Sequence, residues 1–330
     1  MPPSTAAPRA ARPRSVFFGS PAFAVPALER VADASELVAV VTQPDRPAGR
    51  GQTVSASAVK RAAARLGPGV SVLQPEKIRT PAFEAELREL GPDLFVVVAY
   101  GRILPRALLD LPRLGAWNVH ASLLPRLRGA APIQWTIING DREAGVSVMR
   151  MEEGLDTGPV AARASIDVRD DETAGGLAER LARLGADLLA ATLPGIIDGG
   201  VRLVAQDDRA ATLAPILGKQ DGRLDFARAA REVSARARGV DPWPGATASL
   251  DGVPVRLFGP RVNDPAPGSA ATATAMVAPG TVLRIDEAGL AVACADGAVV
   301  FAELQLPGRK RLPAAAAAAG RAIAVGARLA

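Results

Sequence analysis

The chain has 330 residues, enough for two domains, and 48% of them are hydrophobic, enough for a sizeable core. Its formal net charge is +5, and residues 201–330 carry 16 Lys and Arg against 12 Asp and Glu, so the basic excess lies in the C-terminal part, where it suits a polyanionic partner. One cysteine, Cys294, excludes an intrachain disulfide and a cysteine-based metal site, and the lack of any run of about 18 apolar residues argues against a membrane helix.

Residues 1–13 carry charge with no following apolar stretch of signal-peptide length, and are expected to form a disordered tail. The chain then alternates. SVFFGS (15–20) reads as a strand, 26–33 as a helix and LVAVVTQ (37–43) as a second strand. Helices are expected over 59–67 and 83–91, each closed by a glycine. DLFVVVAYG (93–101) is nearly all apolar, as a central strand covered on both faces must be. Further strands are expected at 115–120, 145–151 and 158–166, then a long helix over 173–197. This alternation predicts an α/β domain over 14–200 with a doubly wound, Rossmann-like, mostly parallel sheet. No GxGxxG follows the first strand and no P-loop pattern occurs, so neither a dinucleotide nor an NTP site of those types is expected.

Residues 201–222 are less regular and are expected to be a linker. Phe226, Ala230, Val233, Ala237 and Val240 recur at heptad spacing, which predicts an amphipathic helix over 224–240 with Arg228, Arg231, Arg236 and Arg238 on the opposite arc. DPWPG (241–245) stops it. Short strand-like runs at 246–250, 253–259, 280–285, 289–297 and 298–304 predict a second domain over 223–330, a small OB-like β-barrel, with 265–276 as a flexible loop within it.

In doubly wound sheets ligands bind beyond the carboxyl ends of the strands, and the only histidine, His120, falls there. Side chains alternate along a strand, so Asn118 and His120 share one direction while Val119 faces the core. An amide can hold a carbonyl oxygen or oxyanion, and an imidazole can donate or accept a proton near neutral pH. Asp156 lies between Gly154 and Gly158, where a carboxylate can orient an imidazole or act as a base. Singly, each has an ordinary reading: a strand-end histidine, a turn asparagine, an aspartate in a glycine turn. Together they form a candidate acyl-transfer set without a nucleophilic side chain, the attacking group coming from the substrate. Arg126 and Arg128 read as a solvated face. The loop QPDRPAGRG (43–51) reads either as an ordinary surface loop or as a carrier of phosphate and base contacts through Arg46 and Arg50.

The stretch 118–160, NVHASLLPRLRGAAPIQWTIINGDREAGVSVMRMEEGLDTGPV, resembles the core of the methionyl-tRNA formyltransferases. The resemblance covers most of the chain, through FFGSPAFAVPAL (17–28), VTQPDRPAGRG (41–51), VVVAYGRILP (96–105), ILGKQDGRLDF (216–226) and DPWPGA (241–246). The Asn-x-His and Asp set alone is common to all formyltransferases that use 10-formyltetrahydrofolate. The 41–51 loop, SLLPxxRGAAPIQ and DPWPG are far more specific. The resemblance implies formyl transfer from 10-formyltetrahydrofolate to the α-amino group of methionine on initiator tRNA, while the single cysteine suits a reducing cytoplasm and a monomer with no membrane partner is expected. It implies that Asn118 and His120 polarise the formyl oxygen, that Asp156 orients His120 and helps take the amine proton, and that Ser122, Leu123, Leu124 and Pro125 line the folate site. Arg46, Arg50 and Lys219, with the arginines of 224–240, are the implied tRNA contacts, and no metal is needed. Two departures stand out: GQTVSAS (51–57) replaces a segment where lysines are frequent, and Ala22 stands where an acidic residue is common. A formyltransferase for a small amine, or a hydrolase releasing formate, would use the same three residues but needs neither the 41–51 loop nor a basic second domain.

Overall fold

Apolar runs in the first part of the chain form the central strands of a sheet, where helices cover both faces. In the computed structural model, which describes residues 12–48, 53–263, 277–320 and 322–330, two units separate by contact. One comprises the residues up to Arg128 with Gly145–Ser165 and Arg180–Thr212; the other comprises Gly129–Ala144, Ile166–Glu179 and Leu213 onward. Most of the expected tail, Arg50 and the loop 265–276 lie outside the described residues.

Elements in chain order are β1 (Arg14–Gly19), α1 (Val25–Ala34), β2 (Glu36–Val41), β3 (Arg46–Ala48), β4 (Thr53–Ser55), α2 (Ala58–Ala63), β5 (Ser71–Leu73), α3 (Pro81–Glu89), β6 (Leu94–Val98), α4 (Arg106–Leu109), β7 (Ala116–His120), α5 (Pro132–Ile138), β8 (Glu143–Arg150), β9 (Val160–Asp167) and α6 (Ala174–Ile197). The seven-stranded sheet runs β5-β2-β1-β6-β7-β8-β9. Its pairings are parallel from β5 to β7, and β8 is antiparallel to β7. Alternate strand residues feed two cores. Phe17, Val40, Val96, Trp117 and Val119 pack with α1, α2 and α6, while Val16, Phe18, Phe95 and Val97 pack with α3 and α4. All five residues of β6 are buried. At roughly 1.5–3 kcal/mol for each large apolar side chain, no solvent-facing alternative competes with its central place. Thr80 starts α3 by accepting the Phe83 N–H at 3.3 Å, with Pro81 at the first helical position.

Several short elements escaped the sequence reading, β3, β4 and β5 among them. β5 has three residues, too few for a period to register. The 43–51 loop contains β3, which pairs antiparallel with β4 as a hairpin arm.

The second unit continues with α7 (Ala230–Gly239), β10 (Thr247–Leu250), β11 (Val253–Asn263), β12 (Val282–Asp286), β13 (Gly289–Ala293), β14 (Ala298–Gln305), β15 (Leu312–Pro313) and α8 (Ala314–Ala319). Its antiparallel sheet runs β10-β11-β14-β13-β12, with β15 on β14. The last residues of the chain join the two ends of that order. Ser249 and Ala330 exchange backbone hydrogen bonds of 2.6 and 2.8 Å, while Val282 donates to the Ala327 carbonyl and Leu329 to the Gly280 carbonyl, each at 2.8 Å. The sheet is thereby barrel-like.

The helix expected over 224–240 starts only at Ala230. Asp225 accepts the Ala227 N–H in a tight turn, and Asp296 accepts the Ala230 N–H at 2.7 Å, taking the place of a local cap. Phe226 therefore enters the barrel core from a turn, edge-on to Phe301. The expected arginine arc is also broken. Arg228 pairs with Glu232, Arg236 lies 5.5 Å over the Trp135 ring, and half-buried Arg238 donates to the Glu172 carbonyl. Among the described residues no helix is long and apolar enough to cross a membrane.

Candidate functional site

β7 ends at His120 with Asn118 and His120 pointing the same way, as the period of two requires, while Trp117 and Val119 fill one core. Register sets Asn118 opposite Met149 and His120 opposite Ser147 on β8. The chain then runs from β8 through residues 151–159 and brings Asp156 back to the end of β7. Asn118 Nδ2 donates to Asp156 Oδ1 at 3.4 Å, and His120 Nδ1 stands 3.6 Å from Asp156 Oδ2. The three polar side chains named from the sequence therefore do come together.

The other ring nitrogen decides the tautomer. His120 Nε2 meets the Leu127 carbonyl at 3.0 Å, and a carbonyl can only accept, so Nε2 carries the hydrogen. A neutral His120 thus turns the lone pair of Nδ1 toward a carboxylate. A proton placed on Nδ1 would lie against that carboxylate. His120 is 6% exposed and the Asp156 side chain 16%, so little water competes for these atoms.

Both partners of His120 are backbone-strained. Leu127 (φ 57°) and Asp156 (φ 55°) have left-handed backbones, a cost of about 1–3 kcal/mol each for residues of this kind. Local hydrogen bonds offset it. Thr212 Oγ1 accepts the Leu127 N–H at 2.9 Å, and the Thr212 carbonyl accepts the Arg128 N–H at 2.8 Å. Gln206 Nε2 donates to the carbonyls of Asp156 (2.8 Å) and Gly158 (2.7 Å), and its Oε1 accepts from Arg128 Nε (3.1 Å) and Nη2 (2.9 Å). Arg128 also reaches Asp208 at 2.8 Å. The expectation that Arg128 belongs to a solvated face is therefore wrong: it is 7% exposed, because it is consumed by this network, whereas Arg126 is exposed. Gln206 and Thr212 escaped the sequence reading because their partners lie about 50 to 85 positions away, beyond any local pattern. Gly158 closes the loop against β8, since a Cβ there would lie 1.9 Å from the Arg150 carbonyl oxygen.

The SLLP turn is held from beneath. Ser147, fully buried on β8, donates to the Ser122 carbonyl (2.7 Å) and accepts the Leu124 N–H (3.1 Å), and Arg163 donates to the Leu124 carbonyl (2.8 Å). Ser122 and Leu124 are buried, the first bonded to the Arg126 carbonyl and the second packed on Met149 and Val160, while Leu123 and Pro125 are half-buried. Arg46 is exposed on β3 in the same unit. Its base is clasped: Lys60 donates to Asp45 and Gln74 at 2.6 Å each, and Gln74 donates to Asp45 at 2.7 Å. The Lys60 hydrogen bond, and then that of Gln74, holds the Asp45 carboxyl below its usual range. Lys219 is exposed on a short 3-10 turn of the second unit. Among the described residues no three His, Cys, Asp or Glu side chains gather to hold a metal ion.

A mostly parallel sheet with an amide, an imidazole and a carboxylate at the end of β7 suits acyl-group transfer without a nucleophilic side chain, and the comparisons place the chain among formyltransferases. Residues 14–193 match the formyl transferase family model and residues 216–322 that of the formyl transferase C-terminal domain. The methionyl-tRNA formyltransferase of Myxococcus xanthus is 48% identical over 96% of this chain and 97% of its own length. That of Pelobacter propionicus is 48% identical over 94% of each. This chain belongs to the methionyl-tRNA formyltransferase family. Solved structures share the fold at lower identity. HypX from Aquifex aeolicus has a TM-score of 0.63 at 18% identity over 96% of this chain, which spans about half of HypX (48%). An N-formyltransferase from Helicobacter canadensis, in complex with folinic acid and dTDP-3-aminofucose, has a TM-score of 0.62 at 16% identity, covering 88% of this chain and 98% of that one.

Proposed function

We propose that this chain transfers the formyl group of 10-formyltetrahydrofolate to the α-amino group of methionine on initiator tRNA, with Asn118, His120 and Asp156 as its catalytic residues. The observation that carries the assignment is an imidazole with one nitrogen on a carbonyl and the other 3.6 Å from a carboxylate. As the amine nitrogen bonds to the formyl carbon, Nδ1 of His120 takes the amine proton and Asp156 stabilises the imidazolium. Asn118 gives one amide hydrogen to Asp156 and has a second for the oxygen on which charge develops. As the bond from the formyl carbon to the folate nitrogen breaks, His120 returns the proton to that nitrogen, so the protein gains none overall. The Ser122–Pro125 turn walls the folate site, with Leu123 and Pro125 as its accessible side chains.

In this reading the first unit, which takes in 201–212 of the expected linker, catalyses, and residues 223–330 bind tRNA. Arg46, Arg50 and Lys219 contact phosphate, which makes affinity fall with salt. The basic C-terminal part and the β3–β4 hairpin favour a tRNA acceptor over a small amine. The protein acts as a monomer in the cytoplasm, in keeping with a single cysteine. The test is formylation of charged initiator tRNA against charged elongator methionine tRNA and against amino-sugar nucleotides. His120→Ala should lower transfer on the order of 10²–10⁴-fold with tRNA affinity retained. A wild-type rate would remove the assigned mechanism, and formylation of the amino sugar alone would remove the acceptor. Arg50→Ala should weaken discrimination between the two tRNAs; unchanged kinetics with both would take Arg50 out of recognition.

A further inference from the structure

We infer that Gln206 is a positioning residue that fixes the spacing between His120 and Asp156, and that Arg128 orients it. This rests on the reading of Asn118, His120 and Asp156 as the catalytic set. Asp156 reaches His120 from a loop with a left-handed backbone at Asp156 itself, and the Nε2 acceptor of His120 comes from a second left-handed residue, Leu127. Neither backbone is held by a regular element. One side chain spans both. Gln206 grips the Asp156 loop by two carbonyls and grips the residue following Leu127 by the Arg128 guanidinium.

Chemistry makes the span directional. A primary amide has two N–H donors and two acceptor lone pairs, and all four are used. The two carbonyls require the nitrogen on the loop side, and the guanidinium requires the oxygen on the other, so the amide cannot rotate. Arg128 is itself fixed by Asp208 and by its backbone bond to Thr212. Thr212 also takes the Leu127 N–H, so the strip 206–212 grips both arms of the site. A carboxylate in place of the amide would keep the bond to Arg128 and turn two donors into lone pairs facing the carbonyls of Asp156 and Gly158. Gln206→Glu therefore releases one arm and leaves the other.

The experiment compares Gln206→Glu, Gln206→Met and His120→Ala in the full-length protein without a histidine tag. Gln206→Glu is expected to fold, with kcat lowered about 10- to 100-fold and KM for both substrates within about twofold. Because His120 is the only histidine in the sequence, its ¹⁵N resonances report one site. The neutral form should show the Nε2–H tautomer in both the wild type and Gln206→Glu, because the Leu127 carbonyl is kept, while the Nδ1 resonance shifts in Gln206→Glu as the carboxylate moves off it. Gln206→Met, which keeps neither grip, should lose at least as much kcat; if it does not fold, Gln206→Glu still decides. A wild-type kcat in folded Gln206→Glu overturns the inference. So does a kcat loss matched by loss of both substrate affinities and of thermal stability, since that marks a structural residue only. If His120→Ala retains activity, the catalytic reading has failed; if His120→Ala is inactive and Gln206→Glu is not, only the role of Gln206 has.

Discussion

His120 owes its chemistry to the atoms on either side of its ring. The Leu127 carbonyl forces hydrogen onto Nε2, which leaves Nδ1, in the proposed mechanism, as the atom that takes and returns the amine proton beside Asp156. Asp156→Asn should therefore cost more than a lost hydrogen bond. The amide cannot stabilise the imidazolium, and kcat should fall on the order of 10²–10⁴-fold with little change in KM, read in steady-state kinetics. Gly158→Ala should act on the same residue through the backbone. Its Cβ would meet the Arg150 carbonyl oxygen at 1.9 Å, so the loop must shift, at a cost of about 1–3 kcal/mol, and both Tm and kcat should drop. Cys294 makes a contrasting case. It is buried, and burial pushes its thiol up to about 12. Iodoacetamide at pH 8 should leave the native protein unlabelled and modify it once denatured, as read by mass spectrometry.

At the level of elements, each candidate group rides on a junction between two of them. β7 carries Asn118 and His120 because a strand ends there, and the return from β8 carries Asp156. Asn118, His120 and the glycine-framed Asp156 were legible because a period of two and a pair of glycines are local signals. The buried state of Arg128 was not, since nothing within ten residues of it shows that Gln206 and Asp208 will meet it. The same holds for α7, whose first turn depends on Asp296 from a distant hairpin. The clasp of Lys60, Asp45 and Gln74 ties α2 and β5 to the base of the β3–β4 hairpin. Since the Asp45 pKa is lowered in the fold, its contribution to stability is present above the unfolded value of 3.8 and is lost as pH falls through the lower folded value. Asp45→Asn should therefore flatten the decline of Tm below about pH 4 while lowering Tm slightly at pH 7, as followed by thermal melts across pH.

Across the whole chain, the division into units does not follow the chain in one cut: segments 129–144 and 166–179 belong with the C-terminal unit, and 201–212 with the first. The barrel-like sheet of the second unit depends on residues far apart in sequence, because Val282 and Ser249 are joined through the segment 326–330. Deleting residues 326–330 should expose two strand edges, lower Tm and promote self-association, measurable by melting and light scattering. The apolar runs marked six of the seven strands of the first sheet, and the central one, β6, buried on both faces, has one kind of place to go. Periodicity and motif together picked out three polar groups, Asn118, His120 and Asp156, which the fold brings to one place. Tertiary structure alone decided which nitrogen of His120 faces Asp156, which arginine is buried, and that Gln206 rather than a neighbour in sequence holds the Asp156 loop. Those are matters of distance between groups remote along the chain, and no local pattern encodes a distance.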